Sequence, residues 1–421
     1  VCKVFSTIDS VERAGSGVLI GPRHVLTAGH LVHWQGSWAS KVEVAPGYAD
    51  GVAPYGRASS RQNFAWPGWI NSMDYTDNIG LIELERPVGA VTGYFSFGYE
   101  EDTFFSEKLF NNPGYPSFAP EYGEKLYIWY GNFDSVSSTL LGINGSVYGG
   151  HGGAGMYVYT PATQQRTVYG ILSHSAGPTV YAVRLSNGRV EVIQSLISQT
   201  LASAPDLIPL HFTSSAATVP AGTSIAGMQF TCYNDSTASF SGLIPVRIHL
   251  SSDAILNAAD TLLLEFGASI ALAAQADAPI LVPEVPVPGS VHGGEYYLFA
   301  ELILDDDDSS NNWTGPDDAL SVSIISPYHT ADQNGDWFVN VSELLRVIQL
   351  FNSSGYHCDA GGEDGYGLGA GDASCTPHAS DYNTQDWMIV LGELLRVIQF
   401  FNSGGYHACV GGEDGFCPGP L

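Results

Sequence analysis

A chain of 421 residues is long enough for two to four domains, and a hydrophobic content of 44% supplies several packed cores. A formal net charge of −28 excludes electrostatic binding to nucleic acid or to an anionic membrane, and no apolar run reaches the ~18 residues that would cross a bilayer. Twelve of the fifteen Lys and Arg residues precede Pro205, so the acidity belongs to the regions beyond it.

No charged and apolar leader precedes Val1: either a signal peptide has been removed or the sequence starts late. The cysteines are Cys2, Cys232, Cys358, Cys375, Cys409 and Cys417. Cys358 with Cys375, and Cys409 with Cys417, would close short loops of the kind found outside the cell. Cys2 and Cys232 are then either free or joined across two domains.

Residues 1–203 are organised around a glycine run, Tyr148-Gly149-Gly150-His151-Gly152-Gly153-Ala154-Gly155-Met156, whose composition shapes a tight turn around a close approach. Upstream, GSGVLIGPRHVLTAGHLV from Gly15 reads as two apolar strands about a Gly21-Pro22 turn and leaves His30 at a barrel edge facing a cleft. Most lone histidines are exposed or satisfied in a core, and His24 and His33 are read that way. His30 is read differently because Tyr75-Thr76-Asp77-Asn78-Ile79-Gly80-Leu81-Ile82-Glu83-Leu84 puts Asp77 at the start of an alternating strand, where it can enter the same cleft.

Together these segments resemble the chymotrypsin-like serine peptidases, and within them the bacterial glutamyl endopeptidase group. TAGH and DNIGLIEL match that family's histidine and aspartate segments, and Pro113-Gly114-Tyr115-Pro116 matches a loop of the bacterial group. Val168 to His174 looks like the strand that lines the substrate pocket. Val190, Ile193, Ile197 and Leu201 have the three- and four-residue spacing of a closing helix.

The resemblance implies a double β-barrel in which His30 is the general base and Asp77 holds its tautomer. It also implies that the amides of Gly150 and Gly152 form the oxyanion hole. Ser173 would support the aspartate and flank the pocket, where His174 would meet an acidic substrate side chain.

The nucleophile position reads Gly152, which carries no oxygen, so no acyl-enzyme can form. Loss of the serine in a comparable triad enzyme costs a factor of about 2 × 10⁶ in turnover. Either an engineered Ser→Gly change or natural loss in a pseudoprotease accounts for this glycine. His151 stands where trypsin-type enzymes have the aspartate that captures a freed amino terminus, so activation by that salt bridge is not expected.

Residues 206–327 have strand-like runs at 246–250 and 295–304, with turns at Ser251-Ser252-Asp253, Pro288-Gly289 and His292-Gly293-Gly294. They predict a β-sandwich that resembles an immunoglobulin-like, cell-adhesion-related domain of bacterial extracellular proteins. Asp305 to Asp308 are read as a solvated turn guarding a sheet edge, with calcium ligation as the alternative.

Residues 328–421 contain a repeat at an offset of 50: DWFVNVSELLRVIQLFNSSGYH from Asp336 returns as DWMIVLGELLRVIQFFNSGGYH from Asp386, and GGEDGY from Gly361 as GGEDGF from Gly411. Each copy predicts an amphipathic helix that must pack on the other. Asp332, Asn334, Asp336 and Glu343 occupy positions 1, 3, 5 and 12 of an EF-hand-like loop, with the Phe338 carbonyl at position 7, and so predict one Ca²⁺. Trp337 stands where glycine usually makes the bend. The second copy aligns Tyr382, Thr384, Asp386 and Glu393 and predicts none in that geometry, although Asp381 and Asn383 offer a shifted register. The duplicated loop and helix resemble dockerin modules, implying a protein partner or a cell-surface anchor; a calcium-stiffened cap is the alternative.

The expected fold class is therefore mainly β: a chymotrypsin-like double β-barrel, an immunoglobulin-like β-sandwich and a small α-helical calcium-loop repeat. The expected function is that of a secreted serine endopeptidase scaffold acting on peptide or protein substrates, inactive as written. The rival is an extracellular peptide-binding or docking protein.

Overall fold

The computed structural model describes the chain apart from residues 121, 146–148, 290, 292, 326, 360, 363, 410–411 and 421. Tyr148 of the glycine run, His292 of the 292–294 turn, and Glu363 and Gly411 of the GGEDG segments therefore lie outside the described residues.

Six strands close a barrel in the order Cys2–Ile8, Val11–Leu19, His24–Thr27, Gly80–Leu84, Ala58–Ala65 and Lys41–Pro46. Val4, Leu19, Val25, Val44 and Ile82 fill it, as inward alternation requires. The second expected barrel is instead an eight-stranded sheet, running Tyr127–Asn132, Leu109–Gly114, Gly155–Thr160, Gln165–Ala176, Thr179–Arg184, Leu140–Asn144 and Ser135–Val136, with Ser96–Phe97 beside Gln165–Ala176. Among the described residues no ladder pairs its first and last strands, which are consecutive in the chain. The bend at Phe133-Asp134 joins them, with Asp134 N–H donating to the Gly142 carbonyl at 2.9 Å.

A shared core of Val18, Leu26, Ile79, Leu81, Val168, Ile171, Val183 and Ile193 lies between the two sheets and forms the floor of the cleft between them. The closing helix spans Asn187–Gln199, so Leu201 lies beyond it. Thr200 ends it, its N–H donating to the Ile197 carbonyl at 3.3 Å.

Residues 207–325 form a three-stranded and a five-stranded sheet around a core that includes Phe230, Val246, Ile248, Leu298 and Val322. Cys232 lies in this core and Cys2 in the barrel core; both are unbonded and buried. Of the acidic run, Asp305, Asp307 and Asp308 are exposed. Asp306 turns in to accept the Leu207 N–H at 2.9 Å, tying the linker to the sandwich.

The sandwich docks on the first barrel through charge and apolar contact. Arg23 bonds Asp235, Arg86 donates to Asp318 Oδ1 at 3.1 Å, and Ala90 and Val91 pack on Ile208, Leu210 and Tyr233.

The C-terminal repeat builds two helices, Val341–Asn352 and Leu391–Asn402, around Val347, Leu350, Val397 and Phe400. Each is followed by a hairpin, and the disulfides are Cys358–Cys375 and Cys409–Cys417. The copies exchange tyrosines: Tyr406 donates to Asp332 Oδ2 and Tyr356 to Asp381 Oδ2, each at 2.7 Å. That exchange corrects the register of the second loop, whose first acidic residue is Asp381 rather than Tyr382. The loop is one residue longer than the first before the offset of 50 resumes at Asp386.

Candidate active site

His30 sits on the 3-10 turn Gly29–Leu31 directly after the strand His24–Thr27. The glycine turn reaches it from the second sheet and is held by the first barrel. Ser16 N–H donates to the Gly152 carbonyl at 2.9 Å, and Ser16 Oγ to the Gly150 carbonyl at 2.8 Å. Only glycine fits two of these positions: Gly150 has φ +83° with a Cβ position 2.5 Å from the Tyr115 carbonyl, and Gly153 has φ +90° with one 2.1 Å from the Ser16 carbonyl.

Gly152 differs from both. A Cβ there would meet only the imidazole edge, 3.0 Å from His30 Cε1 and 3.1 Å from Nε2. The position expected to carry the nucleophile thus faces the expected base, with no attacking oxygen between them.

Asp77 is not the partner of His30, which corrects the expectation. Its Oδ1 accepts from Arg189 Nη2 at 2.6 Å, and the same guanidinium bonds the Thr76 carbonyl at 2.7 Å. Arg189, on the closing helix, thereby draws Asp77 out of the cleft.

Asn78 stands against the imidazole instead. Its Oδ1 accepts the His30 backbone N–H at 2.9 Å, which fixes the amide's orientation. Its Nδ2 donates to Ser173 Oγ at 2.9 Å and lies 3.1 Å from His30 Nδ1. Oδ1 is also 3.3 Å from His30 Nδ1; with Oδ1 engaged by the backbone N–H and Nδ2 the nearer at 3.1 Å, Nδ1 is assigned as an acceptor and the imidazole proton is placed on Nε2, facing residue 152. Burial above all, with the nearby Arg13 charge, lowers the His30 pKa to about 4, so the ring is neutral at pH 7.

A carboxylate at this place would accept from Nδ1–H and free the Nε2 lone pair; an amide does the reverse. The sequence signal for Asn78 was its place immediately before Ile79-Gly80-Leu81-Ile82, one residue after Asp77.

Ser173 lies beside Asn78 as described, and its Oγ is 3.0 Å from His174 Nδ1. The His174 ring is sandwiched between Tyr75 and Tyr181, with centroids 4.6 and 5.2 Å away. Burial lowers its pKa. His151 is buried, with Nε2 3.3 Å from the Asn112 carbonyl.

Far from this cleft, the 332–343 loop carries hard oxygen donors. Asp332 and Glu343 are buried, neither pairs with a cation among the described residues, and burial raises the pKa of both. Trp337 takes φ +65° and makes the bend that glycine would supply. The donor types suit a hard divalent cation, but the carboxylates are turned to their own backbone, Asp332 accepting the Trp337 N–H at 2.9 Å and Glu343 the Asn340 N–H at 2.8 Å, and among the described residues no three His, Cys, Asp or Glu side chains are grouped as a metal site.

No family model matches the chain. It is 35% identical over 111 residues to the glutamyl endopeptidase of Bacillus licheniformis, covering 26% of this chain and 34% of that protein. It is 35% identical over 83 residues to an extracellular metalloprotease of Bacillus subtilis, covering 20% of this chain and 26% of that one. The chain thus spans about a third and about a quarter of the lengths of these curated relatives.

Among solved structures, a Glu endopeptidase in complex with MPD shares 21% identity over 46% of this chain and 89% of its own, with a TM-score of 0.41. A thermostable serine protease AL20 from an extremophilic microorganism shares 20% identity over 47% and 96%, at 0.42. The curated relatives that the chain matches are peptidases by name. No helix among the described residues is long and apolar enough to cross a membrane.

Proposed function

We propose that this chain is an extracellular peptidase-derived protein that holds peptide or protein segments in a serine-endopeptidase cleft without cutting them. The observation that carries the reading is Asn78 against His30 Nδ1, in the same site as Gly152. Acyl transfer needs an attacking oxygen and a base with a free Nε2 lone pair; a glycine at 152 and an amide against Nδ1 both speak against it. An engineered Ser→Gly change would account for Gly152 alone; natural loss accounts for both.

The name of the Bacillus subtilis relative supports an extracellular place, and the two disulfides suit one. In the same proposal the C-terminal repeat holds one calcium through Asp332, Asn334, Asp336, Glu343 and the Phe338 carbonyl. Bound calcium would neutralise the buried carboxylates, and the stiffened helix pair would dock or anchor the protein.

The test is incubation of the chain with a denatured-protein digest, with cleavage read by mass spectrometry and retention by pull-down. Peptides retained and uncut support the reading. Cleavage that disappears in His30→Ala overturns it.

A further inference from the structure

Four features of the vestigial centre point to what it holds. The first is the neutral His30 ring, whose Nε2–H is aimed at the space beside Gly152 by the Asn78 amide. The second is the backbone of the turn: among the described residues, the N–H groups of Gly150, His151 and Gly152 meet no protein acceptor, although their carbonyls are bonded. Successive N–H groups in such a turn form an anion-binding concavity. His151 is only 5% exposed, so leaving its amide without an acceptor is costly.

The third feature is room. The space a Cβ at residue 152 would enter is bounded within 4 Å by the imidazole edge alone. A serine would fill it with a side-chain oxygen; a glycine leaves it for an oxygen of the ligand. The fourth is charge. The first region carries twelve basic and sixteen acidic side chains, so most of the −28 lies elsewhere, and the charge acting on His30 is that of Arg13.

We infer that the centre is a receptor for the C-terminal carboxylate of a peptide, with one oxygen on the His30 Nε2–H and the other among the N–H groups of Gly150 to Gly152. This rests on the peptide-holding reading above and names the ligand that reading leaves open. The chemistry is that of a hydrolysis product. A carboxylate presents the carbonyl oxygen of a substrate and, in place of the missing serine Oγ, a second oxygen with charge. Neutral donors around a partly enclosed space suit this monoanion, because charge-assisted hydrogen bonds are about twice as strong as neutral ones. In an active centre the base would present a lone pair here and repel it. The Asp→Asn type of change at 78 and the side-chain loss at 152 thus act in the same direction.

The experiment uses the full chain and acetylated tripeptides ending in Glu, Leu or Phe, each prepared as free acid and as amide, titrated calorimetrically. Free acids are expected to bind at least ten-fold tighter than the amides. Asn78→Asp, which turns the Nε2 lone pair toward the ligand, should remove that preference. Gly152→Ala, which places a methyl against the imidazole edge, should weaken the acids and serves as the second variant if Asn78→Asp does not fold. Equal affinity for acids and amides overturns the inference and leaves peptide holding intact. No binding of either form overturns both.

Discussion

Asn78 Nδ2 lies 3.1 Å from His30 Nδ1 while Asn78 Oδ1 takes the His30 backbone N–H at 2.9 Å. An amide has almost the shape of a carboxylate, so the surrounding fold is undisturbed. What changes is which ring nitrogen carries the proton, and the base becomes a donor toward residue 152. Arg189 completes the arrangement by holding Asp77 elsewhere, at 2.6 Å.

Stability at the junction between barrel and sandwich should depend on pH through Asp206. Burial first, then the charges of Asp235 and Asp306, raise its pKa to about 6 against the opposing Asn311 hydrogen bond and Arg23 charge. The folded chain therefore holds a proton that the unfolded chain releases from about pH 4. Its stability falls as pH rises through the window from about 4 to about 6, and is flat above. Asp206→Asn keeps an oxygen for Asn311 and should stabilise at pH 7.5 by on the order of 2 kcal/mol while changing little at pH 4. Urea midpoints at the two values check this; equal shifts at both count against it.

Calcium at a hundred times its dissociation constant should stabilise the C-terminal repeat by about 2.7 kcal/mol. Asn334 and Asn383 are exposed residues of the two loops. Asn334→Ala should reduce the heat of calcium binding, and Asn383→Ala should leave it unchanged, because the second loop is one residue too long. Equal heats for both variants and the parent would remove the site from 332–343.

Cys2 and Cys232 are fully buried in different cores, and burial pushes the Cys232 thiol up to about 12 and Cys2 in the same direction. Thiol titration at pH 8 should count none in the native protein and two in denaturant without reductant. A reactive thiol in the native state would contradict the packing.

The path of the chain was readable where chemistry is local. The TAGH run, the glycine turn and the duplicated helices carry their own periodicity and turn residues. Asp77 was misassigned because two consecutive residues at the end of a 3-10 turn, Tyr75–Asp77, cannot be told apart by alternation. Which of them enters the cleft is decided by Arg189, more than a hundred residues away. The register of the second loop was hidden for a similar reason: Asp381 is marked by the Trp387 N–H of its own loop and by Tyr356 of the other copy, contacts that exist only in the folded chain. The open second sheet depends on a strand turning a corner at Phe133-Asp134, which leaves no composition signal.

The most direct test restores the site in two steps and compares Gly152→Ser with the pair Asn78→Asp and Gly152→Ser, on fluorogenic peptides covering acidic, basic and aromatic residues. His30 has to yield by a few tenths of an ångström for the new Cβ, since that position lies 3.0 to 3.1 Å from its ring. The double variant should hydrolyse peptides about 10⁴-fold faster than the single one, because only it gives the base the right tautomer. Equal turnover in the two variants would contradict the account.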